Sequence, residues 1–386
     1  MDKNKYIVKR FLDLIFGVML SFLFMFGKRK NRIIFNSVLN KNFDNNSKYY
    51  FLYLLRNHCK YELKFVVNDD RQRTDAISRY GEHFITSRGI KNKIYILNAK
   101  YWITSSLETP VGGVFLRKNR KVINLGHGMP YKLVGLQERN LSKLKKVYYK
   151  LINTNFDYFL STTEFYSSVI QKSFGCNADR VIIAPQPRMS ALKNEFLDLH
   201  RTEIFKNNKN ILYAPTWRRN GKLKLFTFWS NISSLDDFLV KHETVIWLRL
   251  HPHFEFDTDI SSLRNIRLFS GKEYPDINQY LYVFDGLITD YSSVFLDFLF
   301  FNRPIYFSEY DKKEYINDNG IISNSGKVKP ENPLLNEIDF QEMLYQINRG
   351  NSVNYTEFNK NANYVIDNEN DDNCRVLHEI LNSKFY

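Results

Sequence analysis

Residues 282–308 read YVFDGLITDYSSVFLDFLFFNRPIYFS. An apolar run ends at Asp290, polar residues turn the chain, an apolar stretch of helical length follows, and Pro304 leads into a second short apolar run. Strand, helix and strand in this order form the unit of a parallel sheet covered on both faces.

The same alternation extends in both directions from this stretch. Upstream, RIIFNSVL reads as a strand, SKYYFLYLLRNH as a helix and YELKFVVND as a strand. YWITSS and KVINLG read as strands ending in turns. SKLKKVYYKLIN is a basic amphipathic helix, followed by strand DYFLST, helix EFYSSVIQKSF and strand RVIIAP. A second series runs from strand NILYAP through helix SLDDFLV and strand TVIWLRLHP to the opening stretch. Two such series predict an α/β protein with two doubly wound, Rossmann-type domains. The polar stretch His200–Asn210 reads as the linker between them, which gives domains over residues 31–205 and 206–386, with the last helix able to pack back on the first. Ligands of such sheets bind beyond the carboxyl ends of the strands, so a motif just after a strand gains weight.

A chain of 386 residues is long enough for two cores, and its 44% hydrophobic content is that of a globular protein. The net charge of +14 favours an anionic partner. Cys59, Cys176 and Cys374 form no CxxC pair, which argues against a zinc ribbon and fits a reducing compartment. No RRM, KH or helix-turn-helix signature accompanies the charge, and the basic residues form no single stripe, so nucleic acid is not the expected partner.

The N-terminus carries FLDLIFGVMLSFLFMF at residues 11–26. As a helix it would span about 24 Å at ~1.5 Å per residue, short of the roughly 30 Å hydrocarbon core. Basic residues flank it on both sides, and no small-residue cleavage site follows. Residues 1–30 are expected to lie in the headgroup region of an anionic leaflet; a buried first helix is the alternative.

Four polar clusters follow strands. Gly126-His127-Gly128 precedes Pro130 and Lys132. Thr216, Trp217, Arg218 and Arg219 follow NILYAP. Arg249, His251 and His253 end TVIWLRLHPH. Asp290, Ser292 and Ser293 stand between a strand and an apolar helix. Taken singly, each has a plain reading: a helix cap, a turn histidine, a solvated charge pair. Their conjunction across two domains predicts a shared cleft. Histidine is suited to proton transfer, and a helix start with free N–H groups is suited to phosphate.

HGMPYK, ILYAPTWR, LRLHP and ITDYSSVFLDFLFFNRPIYF together resemble the CDP-glycerol glycerophosphotransferases of teichoic acid and capsule synthesis, the TagB/TagF-like group. RIIFNS and NSKYYFLYLL near the start, QPRMSAL at Gln186–Leu192 and CRV at Cys374–Val376 match more weakly. The resemblance covers nearly everything from Asn31 onward. It implies a GT-B-like fold, with two domains facing a cleft, on the inner membrane surface. It also implies transfer of glycerol phosphate, or ribitol phosphate in some members, from a CDP-alditol to a hydroxyl of a lipid-linked glycan or growing polymer, with release of CMP. By the resemblance His127 is the general base and His251 a second catalytic histidine. Gly128, Lys132, Thr216, Arg218, Arg249, Asp290, Ser292, Ser293 and Arg375 are candidates for substrate binding, with the two serines at the pyrophosphate. No cofactor is evident, and Mg2+ is compatible with the reaction but indicated by no residue pattern. A sugar-nucleotide glycosyltransferase of the same fold is the alternative enzyme, and a non-catalytic basic binding protein the alternative class.

Two departures stand out. Met129 and Tyr131 replace the family's usual Thr and Leu, and residues 311–330, DKKEYINDNGIISNSGKVKP, keep only the start of the family pattern. Both lie where acceptor or alditol contacts are expected. The chain also lacks the long N-terminal extension of the large polymerases, which fits a primase or compact polymerase.

Overall fold

Short runs of isoleucine, valine and aromatic residues fit a pleated surface buried on both sides, and in the computed structural model they form two fully parallel sheets. The structure describes residues 18, 19, 22, 29–192, 203–218, 223–250, 260–350, 352–363 and 374–382. Most of the expected membrane segment, 1–30, lies outside the described residues, as do His251 and His253. Among the described residues no helix is long and apolar enough to cross a membrane.

The first sheet contains β1 (Lys30–Asn36), β2 (Glu62–Val66), β3 (Phe84–Ile85), β4 (Ala99–Thr104), β5 (Lys121–Asn124), β6 (Tyr158–Ser161) and β7 (Val181–Ile183). Their order is β3-β2-β1-β4-β5-β6-β7. The chain winds one way from β1 to β3 and the other way from β4 onward, so the crevice of this doubly wound sheet opens between β1 and β4. Ile34, Val66, Trp102, Val122 and Phe159 are buried in one cluster of its core. The helices Asn45–Arg56, Lys143–Asn153 and Glu164–Phe174 cover the strands. Ser142 and Thr163 cap the latter two with side-chain bonds to Lys145 N and Tyr166 N.

The second sheet contains β8 (Lys209–Ala214), β9 (Thr244–Leu248), β10 (Ile266–Leu268), β11 (Gly286–Thr289) and β12 (Ile305–Phe307), in the order β10-β9-β8-β11-β12. Its crevice lies between β8 and β11. Ile211, Tyr213, Ile246, Leu248 and Ile288 share a core with Phe340, Met343 and Leu344 from the helix Glu337–Asn348.

The chain divides into two compact units. One holds residues up to Met129, Val134–Arg188 and Ile366–Tyr386; the other holds Pro130–Leu133 and Met189–Val365. The boundary therefore falls after Arg188 rather than at residue 205. Phe205, assigned to the linker by its polar neighbours, is buried against Trp247, 4.7 Å between ring centroids, and belongs to the second core. The helix Arg375–Asn382 joins the first unit, where Tyr61 Oη donates to Asn382 Oδ1 at 3.1 Å.

Gly135 shows how tightly one turn of the first unit is built. Its φ is +61°, and a Cβ there would stand 2.3 Å from the carbonyl oxygen of Ser173. Gly135→Ala should lower stability by about 1–3 kcal/mol. Thermal unfolding checks this against Gly326→Ala, where a Cβ would meet nothing within 4 Å.

Candidate active site

In the first unit the site begins where β5 ends. The Asn124 side chain accepts from Gly126 N at 2.8 Å, and Leu125 N still reaches Thr104 O of β4 at 2.7 Å. Gly126 and Gly128 then take φ values of +64° and +135°, which a side chain would resist. His127 is carried by this turn beside the end of β4, with Nδ1 3.2 Å from the backbone carbonyl of Ser105. A carbonyl can only accept, so Nδ1 carries the proton and the neutral ring keeps its lone pair on Nε2. The protein packed around the ring lowers its pKa below the ordinary 6.5. The Ser105 carbonyl opposes this shift and the nearby Arg188 cation adds to it. The residue as a whole is exposed, so water moderates the shift.

Two residues not singled out from the sequence hold this turn. Arg188 Nη1 donates to the His127 carbonyl at 2.8 Å. Its guanidinium lies where a Cβ on Gly128 would come within 2.8 Å of Nη2, so Gly128 is a packing necessity before it is a binding residue. Asn46, fully buried, donates to the carbonyls of Leu125 (3.1 Å) and Gly126 (3.0 Å) and accepts from Arg188 N (3.1 Å). Arg188 stood within the weak QPRMSAL match and Asn46 opens the NSKYYFLYLL stretch, but neither was given a role from the sequence.

In the second unit the loops after β8 and β11 meet at Asp290. Its buried carboxylate accepts from Thr216 N at 2.9 and 3.0 Å and from Tyr291 N at 2.5 Å. Arg218 Nη2 lies 2.9 Å from the same carboxylate. Arg218 also grips Asp311 through two bonds, of 2.6 and 3.0 Å, and Tyr291 Oη donates to Asp311 at 3.2 Å. Tyr291 stacks on Tyr315 with centroids 3.8 Å apart. Burial alone would lower the Arg218 pKa, but the bonds and charges of Asp311 and Asp290 outweigh it and hold the pKa above the ordinary arginine value.

Both candidate arginines are held by the protein itself. Arg218 is enclosed by two carboxylates. Arg249 likewise donates through Nη1 to the carbonyls of Phe269 (3.1 Å) and Tyr274 (2.8 Å). Both position loops. Asp290 is also more than a helix cap, since it ties three backbone and side-chain donors together.

Ser292 and Ser293 are half-buried at the start of the helix Val294–Phe298. Ser293 occupies the capping position, yet its side chain makes no capping bond. Among the described residues the buried Thr216 hydroxyl has no hydrogen-bond partner. Trp217 beside it is 41% exposed.

Met129 and Tyr131 are buried, so the first departure from the family pattern is a packing feature. The Tyr131 ring stands edge-on to Phe295 at 5.1 Å. Lys132 pairs antiparallel with Ile321, Ile322 N donates to Tyr131 O at 3.0 Å, and Leu133 N donates to Gly320 O at 3.3 Å. Arg375 opens the last helix. Among the described residues no group of three or more His, Cys, Asp or Glu side chains is placed to hold a metal ion.

Two doubly wound parallel sheets with polar clusters just beyond their strand ends define a GT-B-like fold. Residues 18–382 match the family described as CDP-glycerol:poly(glycerophosphate) glycerophosphotransferase, and the chain belongs to that family. It is 28% identical over 333 residues to a teichoic acid poly(glycerol phosphate) polymerase of Bacillus spizizenii, covering 81% of this chain and 83% of that one. It is 26% identical over 310 residues to a teichoic acid glycerol-phosphate transferase of Staphylococcus aureus, covering 74% and 76%. In fold it resembles the wall teichoic acid polymerase TagF, in a histidine variant soaked with CDPG. The TM-score is 0.71 at 19% identity, covering 98% of this chain and 96% of that one.

Removing the Arg218 guanidinium would leave two largely buried carboxylates without their cation. Arg218→Ala should lower stability by about 3–5 kcal/mol and loosen the loops after β8 and β11 together. Denaturant unfolding, with amide exchange at Thr216 and Tyr291, measures both effects.

Proposed function

We propose that the protein transfers glycerol phosphate from CDP-glycerol to a hydroxyl of a lipid-linked glycan or growing teichoic acid chain, releasing CMP, with His127 as the general base. The observation that carries this reading is the Nδ1–Ser105 carbonyl contact. It leaves Nε2 able to take the acceptor's proton as the alcohol oxygen attacks the phosphorus that bears glycerol. The bond from that phosphorus to the CMP oxygen breaks, and CMP departs. Ser292 and Ser293, with no capping bond from Ser293, and the unpartnered Thr216 hydroxyl are the donors we assign to the pyrophosphate. Developing charge on phosphate is stabilised by such preorganised donors. His251 is assigned to the departing CMP by the family resemblance alone. Lys132 and Arg375 are assigned to substrate phosphate on the same basis.

CMP release measured with CDP-glycerol, CDP-ribitol and sugar nucleotides, followed by product mass, tests the donor. His127→Ala should reduce turnover by roughly two to four orders of magnitude with donor binding nearly unchanged. A folded variant with near-normal turnover would place the base elsewhere. A base works unprotonated, and the His127 pKa is lowered from 6.5, so the acidic limb of kcat/KM should be centred below pH 6.5. An acidic limb centred above 6.5 would contradict the assignment.

We further propose that residues 1–30 tether the protein to the cytoplasmic leaflet as a peripheral anchor, on the strength of the apolar run and its basic flanks. Deleting residues 1–28 should shift the protein to the soluble fraction while CMP release with a short soluble acceptor persists. Loss of folding would instead identify the segment as part of the core.

A further inference from the structure

The edge of the first sheet opposite His127 is built from the N-terminal ends of the strands, and it is basic. Lys30 opens β1, Lys121 opens β5, and Lys100 is the second residue of β4. These three strands are neighbours in the sheet. Lys60 is exposed just before β2, and its carbonyl accepts from the Asn31 side chain at 3.3 Å. The loop before β5 adds exposed Arg117 and Lys118. The acidic groups nearest these cations, Glu62 and Asp157, are already engaged, while exposed Glu82 and Asp179 stand further along the edge, before β3 and β7. Glu62 is held by Arg32 at 2.7 Å. Asp157 accepts from Val122 N at 2.7 Å and lies 3.6 Å from Arg117.

At the tip of that loop stands Phe115, 61% exposed and with φ of +58°. An aromatic residue in the left-handed region is an outlier held by its surroundings. The fixings are on either side. Leu116 N donates to Asn155 Oδ1 at 3.0 Å, and Asn155 Nδ2 donates to Gly113 O at 2.8 Å. Arg120, fully enclosed, donates to the carbonyls of Ala99 (3.0 Å), Leu116 (2.8 Å) and Leu97, with its guanidinium 3.6 Å from the Trp102 ring centroid. Arg29 donates to the same Leu97 carbonyl at 2.6 Å and to Lys118 O at 3.2 Å. The chain that leaves the apolar run at residue 26 is thus pinned, three residues later, beside the Phe115 loop.

We propose that this edge is a second membrane contact, with Phe115 seated among the lipids and Lys30, Lys60, Arg117 and Lys118 on the headgroups of an anionic phospholipid leaflet. The proposal rests on the peripheral-anchor reading above. Charge complementarity selects the leaflet, an exposed aromatic with cations around it matches the interface between headgroups and acyl chains, and the pinned Arg29 brings the anchor's end to the same edge. His127, at the other end of the strands, then faces away from the bilayer.

The test uses the full chain and vesicles of phosphatidylglycerol with brominated phosphatidylcholine. Phe115→Trp should add quenching by the brominated lipid beyond that of the four natural tryptophans. The combined variant Lys30→Gln, Lys60→Gln and Lys118→Gln should partition onto these vesicles about 100-fold less, from roughly fivefold per lysine, with CMP release from a soluble acceptor retained. Vesicle binding of the natural chain with neither effect would overturn the proposal and leave the anchor intact. No binding of the natural chain would overturn both. The helix Lys143–Asn153 exposes Leu144 and Val147 beside further lysines. If Leu144→Ser with Val147→Ser abolished binding while the Phe115 and lysine variants bound normally, the contact would be that helix and not this edge.

Discussion

The second unit's site depends on a single carboxylate. Asp290 sits where β8 and β11 part, and without it the N–H groups of Thr216 and Tyr291 would be buried without their acceptor. Its charge in turn requires Arg218, and Arg218 brings in Asp311, from beyond β12. A buried ion pair contributes little net stability against an apolar replacement, but it fixes geometry, because each member is expensive to leave unpaired. The loops after three strands are thereby held in register, and the hydroxyls of Thr216, Ser292 and Ser293 are left for other use.

The first unit solves the same problem with a neutral group. Asn46 joins the turn after β5 to the segment at Arg188 using an amide rather than a carboxylate. The difference has chemical consequences. The amide of Asn46 adds no charge beside His127, where the Arg188 cation lowers the pKa and the carboxylates of Glu108 and Asp44 act against it.

The alternation of strand and helix was legible because parallel strands are apolar on both faces and end in turns rich in polar residues. What escaped was short or polar. The helix Asp70–Tyr80 buries only Ala76, so it has no apolar face to read, and β3 and β10 are too short to show a period. Within the site, His127, Thr216 and Asp290 stood out because they follow strands. The partners of Arg218 and Arg249 were illegible for one reason. A sequence displays a cation but not its partner, and the partners here lie 93 residues away at Asp311 and in the carbonyls of Phe269 and Tyr274. The role of Asn46 was illegible on the same grounds, since its bonds span 79 to 142 residues.

The two departures from the family pattern become a single feature once their contacts are known. Tyr131 and residues 320–322, apart in the sequence, pair edge to edge through backbone bonds. The Tyr131 ring fills space against Phe295, two residues beyond Ser293. The side chain at position 131 is larger than leucine and is buried. Ser325 lies close enough to bond the Tyr131 hydroxyl. Side chains in packed interiors change together because density leaves no slack. Residues 320–322, Ser325 and Asp311 thus have packing and ion-pair partners within the protein itself.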